Sequence, residues 1–303
     1  MIWNLLSPRT QKVPLPHNFN KDSMYALVDH IMDEQQDCRY SRIDFDFGRL
    51  RFIEPDGVSV LSNLIEYLKH SGARVTFSNF HGATPALNFL DDSGFFKHYQ
   101  GKPLRPGSRV RTTTLPLQLV EYSRSYGYME NRLIPWLATA LGVRQAALST
   151  VKVCFHEIFN NIQDHSTVSI GCAFAQHYPN RQEVRICISD FGIGIPQNVR
   201  KAVPELTDQA AIERACREGF TTNTTPRNRG AGLAVLINNV VRTNGGSVII
   251  HSGRGIYSCK RTGATVNRTP RTAPGFYPGT LVHISLNTRS FVADEVEEED
   301  FEW

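Results

Sequence analysis

The sequence predicts an α/β fold in two parts: a βαβα unit, then a second half in which helices and sheet strands form separate layers. Three observations predict it. Short runs of alternating apolar and polar residues interleave with longer segments whose apolar residues recur at helical spacing. A stretch rich in Pro, Gly and Arg, 101–115, has neither period and separates the two parts. Hydrophobic residues make up 41% and charged residues 20% of 303 residues, the balance of a folded chain long enough for two domains.

In the first part, residues 23–36 place Ala26, Leu27, His30 and Ile31 on one helical face. Ile43 to Phe47 alternates apolar and polar residues and reads as a strand. Glu54-Pro55-Asp56-Gly57 reads as a turn into a helix over 58–70, where Val58, Leu61, Leu64, Ile65 and Leu68 share a face and Gly72 follows as a stop. Residues 74–77 read as a second strand and 85–90 as a short helix. This order calls for a right-handed crossover onto one sheet. In the second part, 125–140 and 143–165 read as helices joined at Gly142, and 183–189 as a strand. Residues 231–244 read as a helix, and 247–252 and 279–287 as strands. The expected domains are therefore 1–105 and 116–292, with 293–303 as an acidic tail.

No window approaches the roughly 18 consecutive apolar residues of a membrane-spanning helix. The opening residues lack the apolar core and cleavage site of a secretion signal. Six cysteines (38, 154, 172, 187, 216 and 259) include no CxxC pair, which argues against a zinc knuckle and a disulfide framework and suits a reducing cytosol. The expected location is cytoplasmic, with no membrane partner. The net charge of +4 conceals an uneven distribution: residues 293–303 carry seven acids and no base, whereas 219–293 carry nine Lys or Arg and no acid. Such a bias suits a polyanion, either nucleic acid or a triphosphate, or else a solvated basic face.

Three segments carry the chemistry. On the helix over 143–165, Glu157, Asn161 and His165 lie four apart on one face. Asn offers a neutral oxygen to Mg2+, and Glu can take a proton from an attacking group. The position four after His156 is Asn160, so the HExxH of a zinc protease is missing. The second segment, Asp190-Phe191-Gly192-Ile193-Gly194, follows a strand. Its glycines let backbone approach a flat ligand, and its carboxylate can accept a hydrogen bond from an exocyclic amine. The third runs from Gly219-Phe220-Thr221-Thr222 to Arg229-Gly230-Ala231-Gly232-Leu233 and opens a helix, where free N–H groups and threonine hydroxyls suit an anion. It matches neither a dinucleotide fingerprint nor a P-loop.

In this order, ExxxN, DxGxG and GxGLx, starting at Glu157, Asp190 and Gly230, resemble the nucleotide site of the GHKL ATPase superfamily of gyrase B, the heat-shock chaperone, sensor histidine kinases and the mismatch-repair protein. The resemblance covers about residues 120–290 and implies a two-layer α/β sandwich binding ATP and Mg2+. It implies that Glu157 orients or deprotonates the attacking group and that Asn161 binds Mg2+. Asp190 would bind the adenine amine with Gly192 and Gly194 lining base and sugar, and Thr280 would sit near the adenine. Thr221, Gly230, Gly232 and Leu233 would belong to the phosphate end, under a lid formed by 195–229. The segment 251–278 is an unusually long insertion for that fold and a second candidate binding surface.

Residues 52–61, with Pro55-Asp56-Gly57 between a strand and a helix, resemble the STAS fold of anti-sigma-factor antagonists over about residues 20–100, and 88–99 fits that fold's closing helix. In those antagonists the residue before this glycine is a phosphorylated serine; here it is Asp56, which cannot accept a phosphoryl group and carries a fixed charge. Ser59 is an alternative acceptor three positions from the family site. The resemblances together imply an ATP-binding protein with slow Mg-dependent hydrolysis, coupled to a protein partner through a STAS-like regulatory module. The alternatives are an anti-sigma-type serine/threonine protein kinase acting on a separate protein and a non-hydrolysing ATP switch. Homodimerisation stays open, and a nucleic-acid contact through 251–278 stays open but is not expected.

Overall fold

A computed structural model describes residues 9–291 apart from 34, 122–123, 218 and 220–231; the side chains of 157 and 160–170 also lie outside the description. In chain order the first part comprises β1 (Gln11–Pro14), β2 (Asn18–Phe19), α1 (Met24–Ile31), β3 (Arg42–Asp46), β4 (Phe52–Ile53), α2 (Pro55–His70), β5 (Arg74–Ser78), α3 (Pro85–Asp92) and α4 (Phe95–Gln100). Strands β1, β3 and β5 form a parallel sheet in the order β1-β3-β5, and β2 pairs with β4. Ile43 and Phe45 of β3 are fully buried while Asp44 and Asp46 between them are not, as their alternation predicts.

The second part begins with β6 (Thr114–Glu121). A helical run follows, from α5 (Ser125–Tyr128) through a π turn at Met129–Leu133 into α6 (Ile134–Leu141), closed by Gly142 at φ +75°. Then come α7 (Ser149–His165), β7 (Ser166–Tyr178), β8 (Glu183–Gly192), α8 (Gly194–Arg200), α9 (Asp208–Ala215), α10 (Gly232–Ile237), β9 (Ser247–Thr262) and β10 (Thr265–Asn287). The five strands form an antiparallel sheet ordered β6-β7-β8-β10-β9. Helices and strands mix in both parts, so the α/β class holds. Among the described residues no helix is long and apolar enough to cross a membrane. None of the six cysteines forms a disulfide.

The large sheet is covered on both faces, where the sequence predicts a two-layer second half. On one face Phe155, Ile158 and Phe159 of α7, Leu137 of α6 and Leu236 of α10 pack against Ile186, Ile188, Ile250 and Ile284. On the other, Phe174, Cys187, Phe191, Tyr277 and Leu281 join the core of the first part, with Val58, Leu61 and Ile65 of α2. The reason lies in the strands: seven consecutive residues of β8, Ile186 to Gly192, are buried, so neither face can be left to water. Helix α2 is buried without interruption from Pro55 to Ile65 because it lies between the two parts.

Several local expectations change. The turn read at Glu54–Gly57 is the first turn of α2: Glu54 is extended and Pro55 opens the helix, where its missing N–H does no harm. Helix α1 stops at Ile31 and buries Met24, Tyr25, Leu27, Val28 and Ile31, leaving Ala26 and His30 exposed. The helical face is rotated because the Tyr25 hydroxyl is drawn to His251 Nδ1, 2.6 Å away. The segment 251–278 is sheet: β9 and β10 run on as a long hairpin turning at Gly263. Its Arg, Thr and Gly residues hide the strand period. Strands β1, β2, β4, β6 and β7 were not expected.

Candidate functional site

Strand alternation places Asp190. Ile186 and Ile188 belong to the helix-covered core and Cys187 and Phe191 to the opposite one, so Asp190 projects on the side of α7 and α10. Ser189 confirms the phase by accepting a 2.6 Å hydrogen bond from Asn63 Nδ2 of α2 on the far side. In the sheet register Thr280 of β10 lies directly opposite Asp190, and Ser252 of β9 lies opposite Thr280. Three polar residues thus form a row across adjacent strands at the end of an otherwise apolar face. The Ser252 and Thr280 hydroxyl oxygens are 3.4 Å apart.

The turn after Asp190 is held by backbone contact. Gly194 has φ +74°, and a Cβ there would stand 2.7 Å from Ser252 Oγ and 2.9 Å from the Gly279 carbonyl oxygen. Gly279 has φ +90°, and its Cβ would meet the Asp190 carbonyl oxygen at 2.4 Å. Both positions require glycine, by dihedral and by space. Ser252 ties the two chains together: its hydroxyl donates to Gly279 O at 2.6 Å and accepts from Ile195 N at 2.9 Å. Beyond the turn, Asp208 accepts from Arg254 N at 2.5 Å and pairs with Arg200, joining α8, α9 and β9.

Asp190 is 5% exposed. Burial pushes its carboxyl from 3.8 up to about 7, against a partial pull downward from the backbone N–H groups of Thr280 and Asp190 itself. No described cation contributes to that pull. A carboxyl desolvated without a counter-charge, beside a glycine turn, is prepared for a neutral hydrogen-bond donor.

The sequence-predicted residues divide into three groups. Asp190 and Thr280 are brought together as register partners, with Gly192 and Gly194 in the adjoining turn. Gly232 and Leu233 open α10, and Leu233 is buried in the same core as Ile188 and Ile250, so it packs. Glu157 and Asn161 lie on α7 by backbone, but their side chains are outside the described residues, as are Thr221 and Gly230 altogether. Ser252 was missed. Its signal was present: Val248, Ile250 and Ser252 alternate onto one face. Among the described residues no group of three or more His, Cys, Asp or Glu is placed to hold a metal.

The Pro55-Asp56-Gly57 segment lies elsewhere. Asp56 is fully buried in the first turn of α2, and its Oδ2 lies 3.4 Å from His283 Nδ1 of β10. Burial pushes its carboxyl up, but His283 and Lys21 beside it together outweigh that and hold it below the ordinary value. His283 alternates with Val282 and Ile284 of the helix-side core, so Asp56 meets the large sheet on the face away from Asp190. Ser59 is fully buried and reaches no solvent.

Neither a family model nor a curated protein matches this chain.

Proposed function

We propose that the second half binds ATP with Mg2+ at the Asp190 end of the large sheet, hydrolyses it slowly, and couples nucleotide state to a protein partner through the first half. The observation that carries this is the Asp190 carboxyl, buried beside Thr280 and a glycine turn with no described counter-charge. That donor-seeking acceptor fits the exocyclic amine of adenine. The resemblance to GHKL ATPases assigns Asp190 and Thr280 to the same end of one ligand, in keeping with their pairing in the sheet.

Asn161 and Glu157, on the helix that covers the same sheet face, would hold Mg2+ and orient the attacking water, and Thr221, Gly230 and Gly232 would hold the phosphates. Bound ATP supplies the phosphoryl group; this chain's own residues bind the base, keep it out of water and hold it in register with α7. Phosphoryl transfer to the chain's own first half finds no support, since Ser59 is fully buried and Asp56 lies buried against His283 on the opposite face. That burial favours a fixed regulatory module over a substrate.

The test is calorimetric titration with ATP, ADP and GTP, with and without Mg2+, on wild type and Asp190→Asn. Saturable binding of the adenine nucleotides that Asp190→Asn abolishes is expected. Absence of heat with every purine triphosphate on folded protein overturns the assignment. Phosphate release by wild type and Glu157→Ala then separates hydrolysis from sensing: equal silence with an ATP-raised melting temperature would mean a switch.

A further inference from the structure

At the end of the large sheet away from Asp190, a cleft of about 460 Å3 opens between the two parts of the chain. Its walls come from Phe52 and Ile53 of β4, Pro85 and Phe89 of α3, and the end of β7 with the turn that follows. Its charged lining is Arg111 and Arg181, and no carboxylate lines it. The Arg111 guanidinium lies 5.8 Å from the Phe89 ring centre and that of Arg181 lies 5.5 Å from the Tyr178 ring centre. Arg111 also pairs with Asp92 at 2.9 Å, whereas no described carboxylate pairs with Arg181. Phe52 is 50% exposed and Val110, next to Arg111, 47% exposed, large values for such side chains at a seam between two packed parts.

We propose that the acidic segment 292–303 of the same chain docks in this cleft, with its aromatic residues against Phe52, Phe89 and Tyr178 and its carboxylates at Arg111 and Arg181. The segment has the complementary composition: Val292, Val296, Phe301 and Trp303 among seven acids. Its starting point fits as well. Thr288 N donates to Gln182 O at 3.0 Å, so the chain leaves β10 one residue from Arg181 at the cleft rim. Phe291 is then buried in the helix-side core, which leaves residues 292–303 to reach the cleft. At about 3.3 Å per residue these span up to about 40 Å.

The β9–β10 hairpin carries a second basic group, Lys260, Arg261 and Arg268, and curls back on the helix side: Arg261 Nη1 donates to Arg242 O at 3.0 Å, and Ser290 Oγ donates to Asn244 O at 2.8 Å. It offers charge to the segment, but among the described residues no large exposed hydrophobic side chain lies on it, whereas the cleft joins its arginines to the exposed Phe52 ring. Tethering beside the cleft raises the local concentration of the acidic segment there to the millimolar range. Docking closes the seam where α3 and β4 meet β7 and so clips the two parts together.

The test uses the full chain with Trp3→Phe and Trp136→Phe, leaving Trp303 as the reporter, and compares Arg181→Glu, Phe52→Ala and Arg268→Glu in that background. Far-ultraviolet dichroism checks that each variant folds; both cleft residues are exposed, so folding should survive. Acrylamide quenching of Trp303 should be weak in the background protein at low salt. It should rise several-fold in Arg181→Glu, in Phe52→Ala and at 0.5 M salt, and stay unchanged in Arg268→Glu. Cleavage of the segment by a glutamate-specific protease should accelerate in the same variants. Equal quenching in the background protein and Arg181→Glu overturns the proposal, as does sensitivity to Arg268→Glu alone. Protection that disappears on dilution would assign the cleft to the segment of a second copy and would also overturn it.

Discussion

Replacing Asp190 by Asn should stabilise the nucleotide-free protein at alkaline pH and leave little trace at acid pH. In the fold the carboxyl keeps its proton up to about pH 7, whereas the unfolded chain loses it near 3.8. Stability attributable to Asp190 is therefore fully present below 3.8 and is lost as pH rises through 7. At roughly 1.4 kcal/mol per pH unit, the complete loss is about 4 kcal/mol, reached above pH 8. Asn is a neutral stand-in of the same shape, so its advantage over Asp should grow by about 2–3 kcal/mol between pH 5 and pH 8. For a chain of this size that corresponds to a melting temperature gap widening by roughly 3–5 °C.

The comparison is made pairwise at each pH because His251 pulls the wild-type profile the other way. Burial depresses that imidazole to about 3, so it stays neutral in the fold and costs stability as pH falls below 6.5. The term is common to both proteins and cancels in their difference. Thermal unfolding of wild type and Asp190→Asn without nucleotide, at half-unit steps from pH 5 to 8.5, is the assay. A gap that is independent of pH, or that widens toward acid, would refute a desolvated carboxyl at this position.

Four further outcomes follow from the same geometry. ATP affinity should weaken as pH drops below about 7, approaching tenfold per pH unit, because protonated Asp190 loses an acceptor; titration calorimetry between pH 5.5 and 8 reads it. Gly279→Ala should destabilise by about 2–4 kcal/mol in chemical denaturation, since φ +90° is strained for alanine and its methyl group would meet the Asp190 carbonyl at 2.4 Å. Asn63→Ala should cost about 1–2 kcal/mol by removing the donor to the buried Ser189 hydroxyl, with nucleotide affinity unchanged because that contact is on the far face. His251→Gln should gain stability relative to wild type as pH falls from 6.5 to 4, a window set by the depressed imidazole, in denaturant titrations of the two proteins compared at each pH.

Much of the helix-side half could be read along the chain. Phe155, Ile158, Phe159 and Ile162 recur at helical spacing, and the helix over 149–165 is there; Gly142 ends the helix before it because only a left-handed residue closes it. The Asp190 turn could be read for the same reason, since DxGxG marks a backbone reversal that glycine alone tolerates, and Gly194 takes it. The alternation of Val248, Ile250 and Ser252 gives the face of Ser252, but its meeting with Thr280 is set only by the β9–β10 register. The two ends of the hairpin, 247–252 and 279–287, could be read, but its middle was hidden because a strand rich in Arg, Thr, Gly and Pro carries no apolar alternation.

What the sequence determined by itself is local: which segments coil, which extend, where the chain must bend, and which polar residues interrupt an apolar face. These depend on neighbours within a few positions, through side-chain period and backbone dihedrals. The packing of α2 between two sheets, the burial of Asp56 against His283, and the desolvation of Asp190 were decided only in three dimensions. Each depends on a partner dozens to hundreds of residues away. A carboxyl's affinity for its proton follows from what surrounds it in space, and no spacing along the chain encodes that.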